Sequence, residues 1–170
     1  MSGPLKVVSE KELGVDPERA LANAEAERTL ANADSVILPS ADDDYKAPID
    51  EEAKALALAI AEAADDRKAG NITILQTGDI SYLADYFVIV TGFSNVQVRA
   101  ISNSIEGAIE DKFERQPIRT EGMSEGRWVL KDYGDVIAHI FMPTDREFYD
   151  LEAFWGHAKR IEFAPASIQA

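Results

Sequence analysis

Two short apolar runs flank Tyr133 and Gly134 in the stretch GRWVLKDYGDVIAHIF, residues 126–141. A two-residue turn at Tyr133 and Gly134 predicts a hairpin in which Trp128 faces His139 and Leu130 faces Ile137. Side chains alternate between the two faces of a strand. One face then carries Trp128, Leu130, Ile137, His139 and Phe141, and the other carries Val129, Val136, Ala138 and Ile140, with Arg127 and Lys131 at its margins. Both faces are largely apolar, so each needs a cover.

The rest of the pattern predicts helices and further strands. Apolar positions at helical spacing predict a helix over 53–69, and a second helix begins at the Ser94 and Gln97 capping box and runs to about Arg115. The β-branched and aromatic runs predict strands at 72–76 and 86–92, with a short strand near 117–121. Thr144 and Glu147 form a second capping box, which predicts a short helix through Trp155.

This order of elements predicts an α+β (mixed α/β) domain with a mixed sheet of about five strands. Two long helices can cover one face of such a sheet. The short C-terminal helix is then available for part of the second face. We therefore expect an apolar surface to remain open on the side of the sheet that carries Trp128.

The first part of the chain has a different composition. Residues 1–52 contain 13 acidic and 5 basic residues, a net charge of −8, and four of the seven prolines. A marginal helix is predicted from Asp16 to about Ala33, and the run of aspartates at 42–44 reads as solvated linker. We expect residues 1–50 to be a flexible acidic extension, 51–156 to be the folded domain and 157–170 to be a C-terminal tail.

Composition and charge exclude several classes of function. The chain of 170 residues has no cysteine, two histidines and a net charge of −14. The absence of cysteine excludes cysteine catalysis and cysteine zinc sites. The net charge disfavours direct binding to nucleic-acid phosphates, because such binding needs clustered Lys and Arg. A basic partner fits better. No apolar run reaches the roughly 20 residues that a membrane span requires, and we expect a cytoplasmic protein, although a mature organellar form would look similar.

Three blocks of sequence resemble the Iojap-like ribosomal silencing factors of bacteria and organelles. They are DISYLADYFVIVTGFSNVQVRAI (79–101), EGMSEGRWVLKDYGDVIAHIF (121–141) and REFYDLEAFW (146–155). The resemblance implies a nucleotidyltransferase-like fold without that chemistry. It also implies docking on the large ribosomal subunit at its protein number fourteen, which blocks joining with the small subunit and represses translation under nutrient limitation.

The resemblance also implies where a partner would bind. It favours the face that carries Trp128, with Leu130 and His139 beside it, and we expect Trp128 to be at least partly exposed. Arg127, which directly precedes Trp128, is also expected to bind the partner. Glu121 lies in the glycine-punctuated loop 119–126, whose carboxylates suit a basic partner. In the C-terminal helix, Arg146 and Tyr149 lie away from the expected packing stripe of Phe148, Leu151 and Trp155, with Arg146 spaced to pair with Asp150.

Two other classes of function remain open at this stage. The segment TGFSN (91–95) has the form of a phosphate-binding turn, but no paired acidic residues follow on a strand to hold two metal ions. A metal-dependent nucleotidyltransferase is therefore the less favoured alternative, and we predict no catalytic residue, cofactor or metal. A homodimeric adaptor that uses the same apolar surface is the other alternative, so the free protein is expected to be a monomer or a homodimer.

Overall fold

The computed structural model describes residues 50–166. The predicted helix at 16–33 and the predicted linker at 42–44 lie outside these residues. Within the described part, no helix combines the length and apolarity that crossing a membrane requires.

The described residues form one mixed sheet with helices on both faces. The helices are α1 (Glu51–Asp66), α2 (Asn95–Phe113), α3 (Pro143–Tyr149) and α4 (Leu151–Phe154). The strands are β1 (Gly70–Gln76), β2 (Tyr86–Thr91), β3 (Arg119–Glu121), β4 (Trp128–Asp132), β5 (Val136–Phe141) and β6 (Lys159–Ile161). Their order in the sheet is β3-β4-β5-β2-β1-β6.

The predicted fold class is confirmed, with one strand more than expected. Strands β2 and β5 pair in parallel at the centre, and the other neighbours pair antiparallel. The sixth strand, β6, pairs with β1 at one edge and lies in the segment that we expected to be a tail. Its three residues carry two basic side chains and no alternating apolar pattern, so the sequence gives little sign of it.

Both long helices begin at the caps that hold their first turns. The Asp50 carboxylate accepts from the amides of Glu52 and Ala53, and the Ser94 hydroxyl accepts from Gln97 N at 3.0 Å. Each helix packs an apolar stripe on the same side of the sheet. We call this side the helix face; it buries Val129, Val136, Ala138 and Ile140 of the hairpin, as the alternation predicts.

The opposite side of the sheet has its own smaller core. We call it the outer face; it buries Phe87, Ile89, Trp128, Leu130, Ile137 and Phe141. The segment between β1 and β2 covers part of this face with Leu83 and Ala84, and α3 and α4 cover more of it. The expectation that a short C-terminal helix covers part of the second face is therefore confirmed.

The hairpin turn lies one residue later than predicted. Tyr133 N donates to Val136 O at 2.9 Å, which leaves Gly134 and Asp135 as the two turn residues. Gly134 has a φ of +92°, a value that favours glycine at the first central position of a type II′ turn. The register consequently shifts by two residues, so Trp128 pairs with Phe141 and Leu130 pairs with His139. A shift of two preserves which side chains share a face.

The C-terminal helix differs from the prediction in two ways. Its first turn begins at Pro143 after Met142, without a side-chain cap, so the capping box predicted at Thr144 and Glu147 is wrong. The helix also breaks at Asp150, whose φ of +42° is left-handed, and α4 follows as a separate turn. Proline is well suited to the first helical position because its missing N–H needs no partner there.

Candidate functional site on the outer face of the sheet

Trp128, the first residue of β4, lies on the outer face and is buried. It is 2% exposed, so the prediction that it would be partly exposed is wrong. The centroid of its ring lies 4.8 Å from that of Phe141 on the sheet and 4.8 Å from that of Tyr149 of α3. The cover comes from α3 and α4, because the break at Asp150 folds the chain back over the sheet, and neither long helix touches this side.

His139 and Leu130 form the layer beside Trp128. They are 5% and 2% exposed. The Trp128 Nε1–H donates to His139 Nδ1 at 3.2 Å. Burial lowers the pKa of His139 from 6.5 to about 3, so the imidazole is neutral at physiological pH. The sequence-based view of His139 as a structural residue of the apolar patch agrees with this geometry.

Arg127 holds the start of α3 to the hairpin. Its guanidinium makes two hydrogen bonds to the Asp145 carboxylate, at 2.7 and 3.2 Å, and Asp145 is buried while the Arg127 side chain is 38% exposed. Met142 N also donates to Arg127 O at 2.7 Å. Arg127 thus has a structural pairing and still presents part of its side chain at the surface.

Glu121 lies on the edge strand β3, and its side chain is 30% exposed. Its carboxylate lies 3.8 Å from Arg119. The loop that follows is held in place by α2, where Arg99 donates to the carbonyls of Met123 and Ser124 and Asn95 donates to Glu125 O. This loop therefore presents its one acidic residue, Glu125, from a fixed backbone.

Arg146 does not lie on a solvated face, and its predicted pairing with Asp150 is wrong. The guanidinium pairs with Glu152 of α4 and is mostly buried. It also donates to Asn71 O and to the hydroxyls of Thr91 and Thr73. Because the helix ends at Asp150, the side chain turns inward and ties α3 and α4 to β1 and β2.

Tyr149 and Phe148 exchange the roles that the helical spacing assigned to them. Tyr149 packs on Trp128, and burial is the main reason that its pKa is raised. Phe148, expected in the packing stripe, is 73% exposed. The predicted stripe assumed a continuous helix, and the break at Asp150 changes the direction of the residues on either side.

Two exposed aromatic residues that the sequence analysis did not identify belong to segments that cover the outer face. Phe154 of α4 is 60% exposed and packs edge-on against Trp155. Tyr82, next to Leu83 in the segment that covers the sheet, is 72% exposed. Together with Phe148 we call them the aromatic rim. The block REFYDLEAFW has four aromatic residues in ten positions, more than one packing stripe needs, and that excess was the available signal.

The helix N-terminus at TGFSN is filled by its own side chains. Phe93 N donates to Gln97 Oε1 at 2.8 Å, and Gln97 N donates to the Ser94 hydroxyl. The Gln97 amide also donates to the carbonyls of Arg67 and Lys68. Two amides that a phosphate would need are thus already bonded, which favours the sequence-based view of Gly92 and Ser94 as a turn and a cap.

A comparison with known families decides the identity of this domain. Residues 50–170 match the family described as "Ribosomal silencing factor during starvation". The chain belongs to the ribosomal silencing factor family. The resemblance drawn from the three sequence blocks is thereby confirmed.

Individual members of the family give the same picture. Over 98 residues the chain is 43% identical to "Ribosomal silencing factor RsfS" of Bacillus subtilis, covering 58% of this chain and 82% of the relative. Over 124 residues it is 37% identical to "Protein Iojap, chloroplastic" of Arabidopsis thaliana, covering 70% of this chain. The match spans about half (51%) of that chloroplast relative. A crystal structure from Chromobacterium violaceum superposes with a TM-score of 0.57 at 34% identity, covering 70% of this chain and 97% of that one.

Proposed function

We propose that this protein is a ribosomal silencing factor that acts by occlusion. It binds the large ribosomal subunit through protein number fourteen, blocks joining with the small subunit and so represses translation under nutrient limitation. The observation that carries the proposal is the family match over residues 50–170. In this proposal the protein works in the cytoplasm and catalyses nothing.

The proposed contact surface is the aromatic rim with the half-exposed side chains beside it. Phe148 supplies exposed aromatic area next to Tyr149. Arg127 directly precedes β4, Glu121 lies on the neighbouring edge strand β3, and both side chains remain partly exposed. Aromatic residues and Arg dominate the binding energy of protein interfaces. Trp128, Leu130 and His139 then act as the rigid layer that supports this surface, and Arg146 fixes the helices that carry it.

Charge supports a basic partner. The net charge of the chain is −14, of which residues 1–52 carry −8. An acidic surface speeds encounter with a basic protein and makes the association rate fall with salt. We further propose that the extension 1–50 discourages binding to ribosomal RNA. Deletion of residues 1–50 should then increase RNA binding, and unchanged binding of both RNA and ribosomes would refute that role.

The central experiment is sedimentation of purified large and small subunits with the full chain. Saturating protein should leave the subunits separate and sediment with the large one. Normal subunit joining at saturation would refute the proposal. Pull-down of purified ribosomal protein fourteen tests the partner separately, because loss of joining without that contact would place the binding site elsewhere on the large subunit.

Variants of exposed residues test the surface without disturbing the core. Phe148→Ala and Phe154→Ala should each weaken binding to the large subunit about tenfold or more if they are central contacts. Val96→Ala is the matched control, because Val96 is 74% exposed at the start of α2. Size-exclusion chromatography of the free variants identifies a homodimer: if Phe148→Ala dissociates a dimer but leaves ribosome binding unchanged, the surface serves self-association instead.

A further inference from the structure

A partly enclosed apolar cavity lies between the outer face and the C-terminal helices. Its volume is about 100 Å³. Phe87, Leu130 and Ile137 line it from the sheet, and Leu151, Phe154 and Trp155 line it from α4 and its end. Leu83 contributes from the segment between β1 and β2. The cavity therefore lies between the sheet and the short helix α4.

Two side chains that line this cavity carry a nitrogen without a hydrogen-bond partner among residues 50–166, Arg119 at Nε and His139 at Nε2. Arg119 Nε lies 3.4 Å from the Asp132 carboxylate, which pairs its charge, so the uncharged His139 is the free donor. His139 Nδ1 already accepts from Trp128. A neutral imidazole with an acceptor at Nδ1 carries its proton at Nε2. His139 Nε2 is buried, and no hydrogen-bond partner for it lies among residues 50–166. A buried N–H donor without an acceptor is costly, so this position favours an acceptor from outside the chain.

A water molecule is a poor match for this position. Buried waters make about 2 to 4 hydrogen bonds to polar groups, and cavities lined by Leu, Ile and Phe remain dry while they bind small apolar molecules. Most of the side chains that line this cavity are apolar. An apolar molecule with a single acceptor satisfies both the walls and the donor.

The surrounding charges favour an uncharged molecule. The cation that lines the cavity, Arg119, lies 3.4 Å from Asp132 and 3.8 Å from Glu121. Two carboxylates thus offset its charge, and the imidazole adds none. An anion would leave water for a site without a free positive charge, which is strongly unfavourable.

Size limits the molecule to about one ring. A dry engineered cavity of about 150 Å³ holds benzene. That volume is somewhat larger than the volume of the cavity in this protein. Phe154 is 60% exposed and belongs to a helix of four residues, so its ring has space on the solvent side to turn outward and widen the cavity.

We propose that this cavity binds a small, uncharged, ring-sized apolar molecule whose single acceptor receives a hydrogen bond from His139 Nε2–H. The proposal does not rest on ribosome binding. Both tryptophans of the chain line the cavity, so their two indole N–H signals in a ¹H–¹⁵N spectrum of the full chain report on it.

Three matched probes test the proposal. Cyclohexanone has the ring and a carbonyl acceptor, methylenecyclohexane has the same shape without the acceptor, and cyclohexanecarboxylate adds a negative charge. Cyclohexanone should shift the indole signals and bind about five-fold more tightly than methylenecyclohexane, the gain expected from one hydrogen bond. Equal affinities, tighter binding of the carboxylate, or no shift of either indole signal at the solubility limit of cyclohexanone would overturn the proposal.

Variants separate the cavity from the donor. Leu151→Trp fills the cavity and should abolish binding of both neutral probes, whereas Phe148→Ala lies outside the lining and should leave it unchanged. His139→Phe should remove the preference for cyclohexanone while methylenecyclohexane still binds. If His139→Phe does not fold, the comparison of the three probes on the unmodified chain decides the question alone.

Discussion

The Trp128 indole donates to His139 Nδ1 at 3.2 Å across the β4–β5 pair, and both rings are buried. The two residues lie diagonally because the register pairs Trp128 with Phe141 and His139 with Leu130. Diagonal neighbours on one face of a sheet remain within reach of long aromatic side chains. This bond fixes the tautomer of a histidine that has no other polar partner in the described residues.

The first prediction concerns stability against pH. The pKa of His139 is about 3 in the folded protein and 6.5 when exposed, so the unfolded chain binds one more proton between these values. Stability should therefore fall as pH drops below 6.5, with a slope approaching about 1.4 kcal/mol per pH unit. Urea unfolding between pH 7.5 and 5 measures this slope, and His139→Gln should reduce it.

His157 provides the control for this measurement. It is the other histidine of the chain and is exposed. His157→Asn should leave the pH dependence of unfolding close to that of the unmodified chain. A slope in His139→Gln that equals the original slope would contradict the assignment of a buried neutral imidazole.

The two faces of this hairpin were predictable from sequence, but the exposure of its residues was not. Alternation alone puts Trp128 and His139 on one face. This assignment is correct although the turn was predicted one residue too early, because the pairing register changes by two residues. The burial of Trp128 depends on the left-handed Asp150 and the fold-back of α4. No local pattern specifies the break or the fold-back, because only a few per cent of non-glycine residues are left-handed, even though Asp is enriched among them, and the residues after Asp150 continue a helical spacing.

The same reasoning separates Arg146 from the other candidate residues. Its spacing to Asp150 is that of a helix surface pair, a local signal. Its carboxylate partner, Glu152, lies six positions away on the separate helix α4, and its other partners, Asn71, Thr73 and Thr91, are more than fifty positions away. Contacts at such separations follow from the sheet order, which sequence patterns do not give.

The second prediction uses Arg146. A planar guanidinium bonds several acceptors at once, whereas a lysine ammonium is a compact charge without that fork. Arg146→Lys should therefore lower the free energy of unfolding by about 2 kcal/mol or more, since several bonds to a charged group are lost. Arg160→Lys on β6 is the matched control, because Arg160 is exposed, and it should change stability little. Equal free energies of unfolding for the two variants would show that the hydrogen bonds of the Arg146 guanidinium add nothing to stability.

The third prediction concerns a buried lysine on the helix face. The Lys131 side chain is 1% exposed and its ammonium lies 2.6 Å from the Glu106 carboxylate. Glu106→Ala leaves that charge without its carboxylate and should cost about 2 to 4 kcal/mol, whereas Lys131→Met removes the charge itself and should cost less. Thermal and urea unfolding measure both.

A surface pair supplies the comparison for that result. Lys112 and Glu62 lie 3.6 Å apart with side chains 55% and 60% exposed. Glu62→Ala should change stability by less than about 1 kcal/mol. If Glu106→Ala proves as mild as Glu62→Ala, the ammonium of Lys131 reaches water in solution and its burial does not control stability.

The fourth prediction concerns Gly92, the residue on which the phosphate-binding alternative partly depended. A Cβ at this position would lie 2.7 Å from Val98 Cγ2 and 3.1 Å from Val98 N. Val98 is fully buried, so the space beside Gly92 is occupied by the chain's own core. Gly92→Ala should therefore destabilise the protein by about 1 to 3 kcal/mol through overpacking.

Gly107 in α2 is the control, because it is exposed and no atom lies within 4 Å of an added Cβ. Gly107→Ala should stabilise the protein by up to about 1 kcal/mol through helix propensity. Urea unfolding should show a lower free energy of unfolding for Gly92→Ala and a higher one for Gly107→Ala. No change in Gly92→Ala would contradict the close packing of Val98 and would mean that the turn has free space for a ligand.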